Sequence, residues 1–186
     1  MKIAGVDEVG VGCLAGPVIS AAVVFGNNKP DLVFKDSKKT SESKRAQQAK
    51  YINQNFYVGI GIATPKEIDA LNVLKATHLA MKRAVHNLPV KPAKILIDGV
   101  HVPENLDNAE AIVKGDEQYQ EIAAASIVAK HFRDQLMIKL SEKFNNYAWE
   151  RNFGYGTKAH MNALKKFGIT SHHRKGFKPI HKMLSS

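Results

Sequence analysis

The sequence of 186 residues is 44% hydrophobic and 24% charged, which is typical of one compact soluble domain. The chain contains no apolar run of about eighteen residues and reaches an acid at Asp7, so neither a membrane span nor a signal peptide is expected. Its single cysteine, Cys13, excludes an internal disulfide framework, and a reducing cytoplasmic environment is therefore expected.

Two apolar strands are predicted at the start of the chain. They cover residues 2–6 and 18–25, and a glycine-rich turn at 10–16 joins them. A basic helix is predicted over 41–55, after a polar loop. A third strand follows at 56–63, where apolar side chains alternate with glycine and tyrosine.

A helix start is predicted after the third strand. Thr64 and Glu67 have the spacing of a capping box, with Pro65 at the first helical position. The helix is expected to continue to about Pro89, because apolar residues recur at helical spacing at Leu74, Met81, Val85 and Leu88.

The second half of the chain alternates strands with helices. A fourth strand is predicted at 94–98 and a short fifth strand at 111–113. A long helix is predicted from about 118 to 144, and a further helix at 158–167. The order of elements indicates an α/β fold, a mixed sheet flanked by helices.

The tail from residue 149 onward is rich in glycine, histidine and lysine. It is too short to bury a core of its own. We therefore expect a main domain at 1–148 and a short, mainly helical C-terminal extension at 149–186 that packs on it.

Acidic residues follow two of the predicted strands. Asp7 and Glu8 end the first strand and Asp98 ends the fourth, so strands that finish at one sheet edge would bring them together. Neighbouring strand residues point to opposite faces, so Asp7 and Glu8 can share a site only if the chain leaves strand geometry there. Gly10 would permit this. Asp116 precedes the long helix, where an N-cap role is the alternative to a role in the site.

A carboxylate cluster would need a cation. Repulsion raises the pKa values of converging acids, and a divalent cation offsets that repulsion. Oxygen donors suit Mg²⁺ or Mn²⁺, and no histidine or cysteine pairs have zinc-site spacing. The net charge of +10 favours polyanionic partners such as nucleic acids, although a solvated basic surface is the alternative. Together these features indicate metal-assisted phosphodiester hydrolysis.

Five sequence blocks, in order along the chain, resemble the ribonuclease HII family. They lie at 5–18 (GVDEVGVGCLAGPV), 36–45 (DSKKTSESKR), 97–99 (IDG), 114–134 (from KGD through AAASIVAK to RD) and 154–177 (GYGT to HRKGF). A single Asp-Glu pair would be weak evidence, whereas five ordered blocks are specific.

The resemblance implies a ribonuclease H-like fold. It implies Asp7, Glu8, Asp98 and Asp116 as catalytic and metal-binding residues, with Mn²⁺ or Mg²⁺ as the cofactor. The implied activity is endonucleolytic cutting of the RNA strand of RNA–DNA hybrids. It extends to nicking 5′ of ribonucleotides embedded in duplex DNA, which leaves 3′-hydroxyl and 5′-phosphate ends.

The resemblance also implies the substrate contacts. Gly10 and Gly12 would present backbone groups to the ribose 2′-hydroxyl, which distinguishes RNA from DNA. Tyr155 would stack on the adjoining deoxyribose. The remaining residues would bind the duplex, largely through phosphates that position it without reading sequence: Val11, Lys38, Lys39, Arg45 and Arg174.

This sequence departs from the family pattern at two positions. Val11 occupies a place where the family usually has arginine, and Gly176 one where serine is common. Loss of the arginine would weaken phosphate contacts or junction preference. Two alternatives to the hybrid-cutting enzyme follow: a noncatalytic nucleic-acid-binding module, and another nuclease of the wider superfamily such as a junction resolvase.

Several other residues are expected to have structural roles. Cys13 is predicted to be a small buried residue, and the alanines at 123–125 to allow close helix packing. Three of the four histidines of the tail are expected at the surface or facing phosphates: His160, His172 and His173. Nothing in the pattern demands an oligomer, so a monomer is the default.

Overall fold

A five-stranded mixed sheet forms the centre of the molecule. The structure, a computed structural model, describes residues 2–35 and 37–185. The sheet has the strand order β3-β2-β1-β4-β5, with β1 antiparallel to β2 and parallel to β4. The strands are β1 (Ile3–Val9), β2 (Val18–Val24), β3 (Tyr57–Ala63), β4 (Lys94–Asp98) and β5 (Ala109–Ile112).

Helices cover both faces of the sheet, as the α/β prediction required. They are α1 (Glu42–Asn55), α2 (Pro65–Leu71), α3 (Val73–His86), α4 (Gly115–Gln118), α5 (Gln120–Lys143), α6 (Trp149–Asn152), α7 (Lys158–Phe167) and α8 (Lys178–Leu184). A short 3-10 turn lies at Ser37–Lys39. Within the described residues, none of these helices combines the length and apolarity needed to cross a membrane.

The helix predicted after the third strand is two helices. The capping box is confirmed, because the Thr64 side chain accepts from the Glu67 amide and the Glu67 side chain accepts from the Thr64 amide. The chain then breaks at Asn72, whose φ of 74° is left-handed and whose side chain caps α3 by accepting from the Lys75 amide. An asparagine tolerates this conformation, and apolar periodicity alone does not reveal the break.

The other predicted boundaries shift by a few residues. β1 continues to Val9 instead of ending before the acids, and β5 begins at Ala109 and ends at Ile112. The long helix predicted at about 118–144 is confirmed as α5, and the extended backbone of Tyr119 (φ −126°, ψ 124°) separates it from the short helix α4, which was not predicted. The helix at 158–167 was predicted correctly, whereas the short helices α6 and α8 were not predicted.

Both faces of β2 are buried, which explains why all of its residues except Ser20 are apolar. Ile19, Ala21 and Val23 face one way, into a cluster with residues of α1 and α5. Ala22 and Val24 face the opposite way, into a cluster with α3 and β4. The sheet is therefore the middle layer of three.

The helix α5 lies unusually close to β1. A Cβ added to Gly5 would lie 2.1 Å from the backbone carbonyl carbon of Glu121. The alanines at 123–125 are fully buried in this contact region, which confirms their predicted packing role. Small residues on both elements thus set the distance between α5 and the strand that carries Asp7 and Glu8.

The C-terminal extension contributes to a cluster shared with the rest of the molecule. Trp149, Leu164 and Ile180 are fully buried there against Leu14 and Met137.

Two histidines of the extension are buried in the same region, so the expectation that they lie at the surface was wrong. His160 and His173 are 0% and 1% exposed, and their Nε2 atoms are 3.0 Å apart. The Thr170 amide donates to His173 Nδ1 over 2.9 Å, so His173 carries its proton on Nε2. His160 Nδ1 lies 2.9 Å from the Tyr155 carbonyl, to which it must donate, which leaves His160 Nε2 as an acceptor for His173. The pair is satisfied only when both rings are neutral.

This pair predicts acid sensitivity. Burial, followed by repulsion from His160 and His172, lowers the pKa of His173 from 6.5 to about 4. A histidine with a lowered pKa contributes stability that is complete above pH 6.5 and is lost as pH falls towards about 4. The expected loss is about 3 kcal/mol. Urea unfolding at pH 7.5 and 4.5 should show a much smaller pH dependence in His173→Gln than in the wild type.

The exposed His181 provides the matched control, because His181→Gln should retain the wild-type pH dependence. An unchanged pH dependence in His173→Gln would show that the buried pair is not the acid-sensitive element.

Candidate active site

Residues from distant parts of the sequence surround one cavity of about 500 Å³. It lies where β1 and β4, which run parallel, reach the same edge of the sheet. Its lining contains all of the predicted acids and most of the predicted substrate residues: Asp7, Glu8, Val9, Gly10, Val11, Gly12, Ser37, Lys38, Asp98, Asp116, Ser126, Lys130 and Tyr155. The structure does not place Lys39, Arg45 or Arg174 in this lining.

The acids of β1 reach the cavity without the predicted departure from strand geometry, so that expectation was wrong. β1 remains paired with β2 through Val9, and the chain turns only at Gly10, where φ is 89°. Because the cavity lies at the end of the strand, Asp7 and Glu8 both line it although they are consecutive strand residues. The Glu8 amide donates to Asp7 Oδ1 over 2.7 Å.

The other two acids come from the elements next to β1. The register of β1 and β4 pairs Val6 with Ile97, so Asp7 and Asp98 occupy the next positions on neighbouring strands. Asp98 Oδ1 accepts from the Gly115 amide over 2.7 Å, which joins the end of β4 to α4.

Asp116 lies in the first turn of α4, two residues after the capping position. The cap is Lys114, with a left-handed φ of 53° and no side-chain capping bond. Asp116 is therefore not the N-cap residue of α4. Its side chain is placed at the cavity by the turn that Asp98 anchors.

Burial and repulsion disfavour ionisation of the two acids of β1. Burial, then the charges of Glu8 and Asp98, raise the pKa of Asp7 well above its ordinary value of 3.8. Burial and the charge of Asp98 likewise raise the pKa of Glu8. Glu8 Oε2 is buried and has no hydrogen-bond partner among the described residues.

A divalent cation fits this donor set by chemistry, since it would neutralise the carboxylates and occupy the unpartnered oxygen. As the side chains stand, no three His, Cys, Asp or Glu residues in the described part of the chain form a group that could hold a metal ion. Direct binding of a cation by three of these carboxylates would therefore require them to turn towards one another.

Four lining residues were not selected as site residues from the sequence: Val9, Ser37, Ser126 and Lys130. The Oγ atoms of Ser126, on α5, and Ser37 lie 2.8 Å apart, and a hydrogen bond donated by Ser126 to Asp7 favours the ionised form of that acid. Lys130, one turn later, lies 2.7 Å from Asp134 Oδ1 and 4.8 Å from the centre of the Phe153 ring. The i, i+4 spacing of Ser126 and Lys130 on one helix face was the signal that could have identified them.

The predicted phosphate-binding residues differ in exposure. Lys38 and Lys39 are exposed, and Lys39 Nζ lies 3.2 Å from Glu117 Oε1. Arg45 is only 8% exposed, and its guanidinium donates to the carbonyls of Ser37 and Thr40 over 2.8 Å. Arg45 is thus placed to hold the loop that carries the lysines. Asp36, which begins the second sequence block, lies outside the described residues.

Arg174 is fully buried, so the direct substrate contact expected for it does not fit its position. Its guanidinium donates to the carbonyls of Gly10, Val11 and Gly16, the loop that follows β1.

Tyr155 is 39% exposed at the cavity, and burial of its hydroxyl, with the adjoining Cys13 thiol, raises its pKa to about 12. Cys13 is fully buried, as predicted. The Val11 side chain packs against a cluster that includes Val18 and Ile68. This packing explains why the residue at position 11 is apolar.

The chain is similar to known proteins over nearly its whole length. The family model described as Ribonuclease HII matches residues 4–183. The ribonuclease HII of Pelagibacter ubique (strain HTCC1062) is 51% identical over 187 residues, which cover 99% of this chain and 100% of that protein. The ribonuclease HII of Ruegeria pomeroyi (strain ATCC 700808 / DSM 15171 / DSS-3) is 50% identical over 185 residues, which cover 99% of this chain and 79% of that protein.

Among solved structures, the ribonuclease H2 from Pyrococcus horikoshii OT3 is similar with a TM-score of 0.81 and 25% identity, covering 100% of this chain and 98% of that one. The expected ribonuclease H-like fold is therefore confirmed. With a family match over nearly its whole length, the chain belongs to the ribonuclease HII family and is a ribonuclease H enzyme.

Proposed function

We propose that this ribonuclease cuts the RNA strand of RNA–DNA hybrids and also nicks DNA duplexes on the 5′ side of a single embedded ribonucleotide, leaving 3′-hydroxyl and 5′-phosphate ends. The observation that carries the proposal is the shared cavity. Four acids from β1, β4 and α4 line it together with the backbone of Gly10 and Gly12. The four acids proposed to act on a phosphodiester thus lie next to a loop that can contact a ribose.

We propose Asp7, Glu8, Asp98 and Asp116 as the catalytic residues that would hold Mg²⁺ or Mn²⁺. Glu8 Oε2, which is buried and has no hydrogen-bond partner in the part of the chain that the structure describes, supports this assignment, as do the raised pKa values of Asp7 and Glu8. When bound, the cation supplies activation of a water molecule and stabilisation of the leaving oxygen.

The loop after β1 is proposed to read the sugar. Gly12 is exposed at the cavity, and a Cβ added there would meet no atom within 4 Å, so a ribose can approach the backbone closely. A 2′-hydroxyl at this loop would find backbone hydrogen-bonding groups that a deoxyribose cannot use. Tyr155, half-exposed beside the loop, is proposed to stack on the adjoining deoxyribose.

Lys38 and Lys39 are proposed to contact phosphates. Both are exposed, Lys38 at the cavity and Lys39 next to it, and the chain as a whole carries a net charge of +10. Such contacts position a duplex without reading its sequence. Val11 cannot add a side-chain phosphate contact, so the loop must act through its backbone.

We also propose that residues 149–186 extend the catalytic domain of residues 1–148. Tyr155 lines the cavity and Arg174 holds the loop after β1, so the extension completes the site.

One assay tests the proposed activity. Three end-labelled substrates are compared with Mg²⁺, with Mn²⁺ and with EDTA: an RNA–DNA hybrid, a DNA duplex with one ribonucleotide, and an all-DNA four-way junction. We expect metal-dependent cutting of the first two, with a 3′-hydroxyl left immediately 5′ of the ribonucleotide.

The alternatives give different results in the same assay. A noncatalytic binding module would retain the duplexes in a mobility-shift gel without cutting them. A junction resolvase would cut the four-way junction instead. Either outcome would refute the proposed activity.

A further inference from the structure

Arg174 occupies an uncommon environment for a charged side chain. It is 0% exposed, and no carboxylate of residues 2–35 or 37–185 forms an ion pair with it. Instead, Nη2 donates to the Gly10 carbonyl over 2.6 Å, Nη1 to Val11 over 2.8 Å and Nε to Gly16 over 3.0 Å. The Phe177 ring lies 5.0 Å from the guanidinium carbon. Among the described residues, all of the guanidinium hydrogen bonds of Arg174 therefore go to one loop, the loop that follows β1.

These bonds determine where the loop's amides point. In a trans peptide the C=O and the N–H of the next residue are directed oppositely within one plane. The Gly10 carbonyl belongs to the same peptide as the Val11 amide, and the Val11 carbonyl to the same peptide as the Gly12 amide. Because Arg174 draws both carbonyls towards the interior, both amides are directed away from it, on the side where this loop lines the cavity.

The two amides are available to a ligand. Within the described part of the chain, neither the Val11 nor the Gly12 amide donates a hydrogen bond. Gly12 is exposed and Val11 is partly exposed. Successive outward amides form a concave donor site suited to an oxygen ligand.

A second buried arginine makes a comparable set of bonds with a different consequence. Arg133 is also 0% exposed and donates to the carbonyls of Ala15, Pro17 and Phe153. The amides on the far side of two of these peptides are already used: Gly16 donates to the His172 carbonyl and Gly154 to Asn152 Oδ1, both over 2.9 Å. Arg133 therefore stabilises the region without presenting those amides to a ligand.

We infer that Arg174 is the positioning residue for ribose recognition, because it holds the Gly10 and Val11 carbonyls inward and so directs the Val11 and Gly12 amides at the substrate's 2′-hydroxyl. This inference rests on the proposed reading of the sugar by the loop. Arg174 acts through the backbone and does not contact the nucleic acid. A lysine would keep the charge but could not reach three carbonyls with one planar fork.

Binding discrimination tests the inference. Dissociation constants are measured by fluorescence anisotropy in EDTA, so that no cutting occurs, for a duplex with one ribonucleotide and for the matching all-DNA duplex. In Arg174→Lys the ratio of the two constants should fall about tenfold, because only the ribonucleotide duplex binds more weakly. Affinity for all-DNA, and its dependence on salt, should stay at the wild-type values.

The expected behaviour of Arg133→Lys supplies the matched control. Both arginines are equally buried and each bonds three carbonyls, so both variants should lose thermal stability. Only Arg174→Lys should lose discrimination. Equal loss of discrimination in the two variants would overturn the inference in favour of a general loosening of the loop.

If Arg174 instead contacted a phosphate directly, the binding measurements would give a third pattern. Affinity for both duplexes would then fall together, and the slope of log K against log salt would decrease by about one. That result would also overturn the inference. If instead the wild type itself binds both duplexes equally, the proposed reading of the sugar fails, and the inference fails with it.

If Arg174→Lys does not fold, hydrogen exchange in the wild-type protein still tests the inference. By NMR hydrogen exchange, the Val11 and Gly12 amides should exchange rapidly in the free protein. They should become protected by the ribonucleotide duplex but not by the all-DNA duplex. Protection of these amides in the free protein would contradict the outward orientation.

Discussion

Replacing Asp7 by asparagine is expected to abolish cleavage and, at the same time, to raise the stability of the metal-free protein. Asp7 is 7% exposed and faces the charges of Glu8 and Asp98, which together with burial raise its pKa. Asparagine removes a buried charge and its repulsion but also removes a proposed metal ligand. We expect activity to fall by about 1000-fold or more, equivalent to about 4 kcal/mol of transition-state stabilisation.

The stability change has a defined dependence on pH. A carboxyl group whose pKa is raised by folding imposes no penalty below its ordinary pKa of 3.8, and destabilises the protein as pH rises through the raised pKa. The contribution of Asp7 to the stability of the metal-free protein should therefore fall as pH rises through that range, and Asp7→Asn should lack this loss. At pH 7.5 we expect the melting temperature of the variant to be higher by about 3 °C, the shift that about 1 kcal/mol produces in a domain of this size.

The measurement is differential scanning fluorimetry in EDTA and in Mg²⁺, paired with the cleavage assay. Mg²⁺ should raise the melting temperature of the wild type more than that of Asp7→Asn. Asp107→Asn removes the same charge from an exposed position and should change neither activity nor melting temperature. Retained cleavage in Asp7→Asn, or a lower melting temperature in EDTA, would refute the assigned role.

Gly5→Ala is expected to destabilise the protein severely. The added Cβ would lie 2.1 Å from the Glu121 carbonyl carbon and 2.3 Å from the Ile122 nitrogen, both backbone atoms of α5. Neither can rotate away, so the helix must move off β1. Overpacking costs about 1–3 kcal/mol where side chains can adjust, and we expect the upper end of that range or more here. The melting temperature should fall by about 10 °C.

This displacement should also reduce activity, because α5 carries Ser126, whose hydrogen bond reaches Asp7. Circular dichroism melts and the cleavage assay give the two readouts. Gly176→Ala is the matched control, since the added Cβ would meet no atom closer than 3.8 Å and should shift the melting temperature by about 1 °C or less. Equal melting temperatures for the two variants would show that α5 can accommodate a side chain at position 5.

The site could be predicted from the sequence to the extent that its residues lie in local motifs. Asp7 and Asp98 each follow an apolar run, and parallel strands finish at one edge, so their proximity followed from pattern and topology. The helix at 158–167 and the capping box at Thr64 were predicted because their signals are local. The break at Asn72 was missed because the apolar spacing continues across it.

The sequence by itself determined the class of fold, the four candidate acids and the basic character that suits a nucleic-acid substrate, since strand periodicity, motif order and charge are properties of the chain alone. Only the tertiary structure decided which basic side chains face the cavity and which support the loop after β1. Arg174 bonds to carbonyls 158 or more positions away, and His160 and His173 are buried against each other. Nothing in the residues next to an arginine or a histidine indicates whether water or a distant backbone will solvate it, because that depends on which segments fold over it.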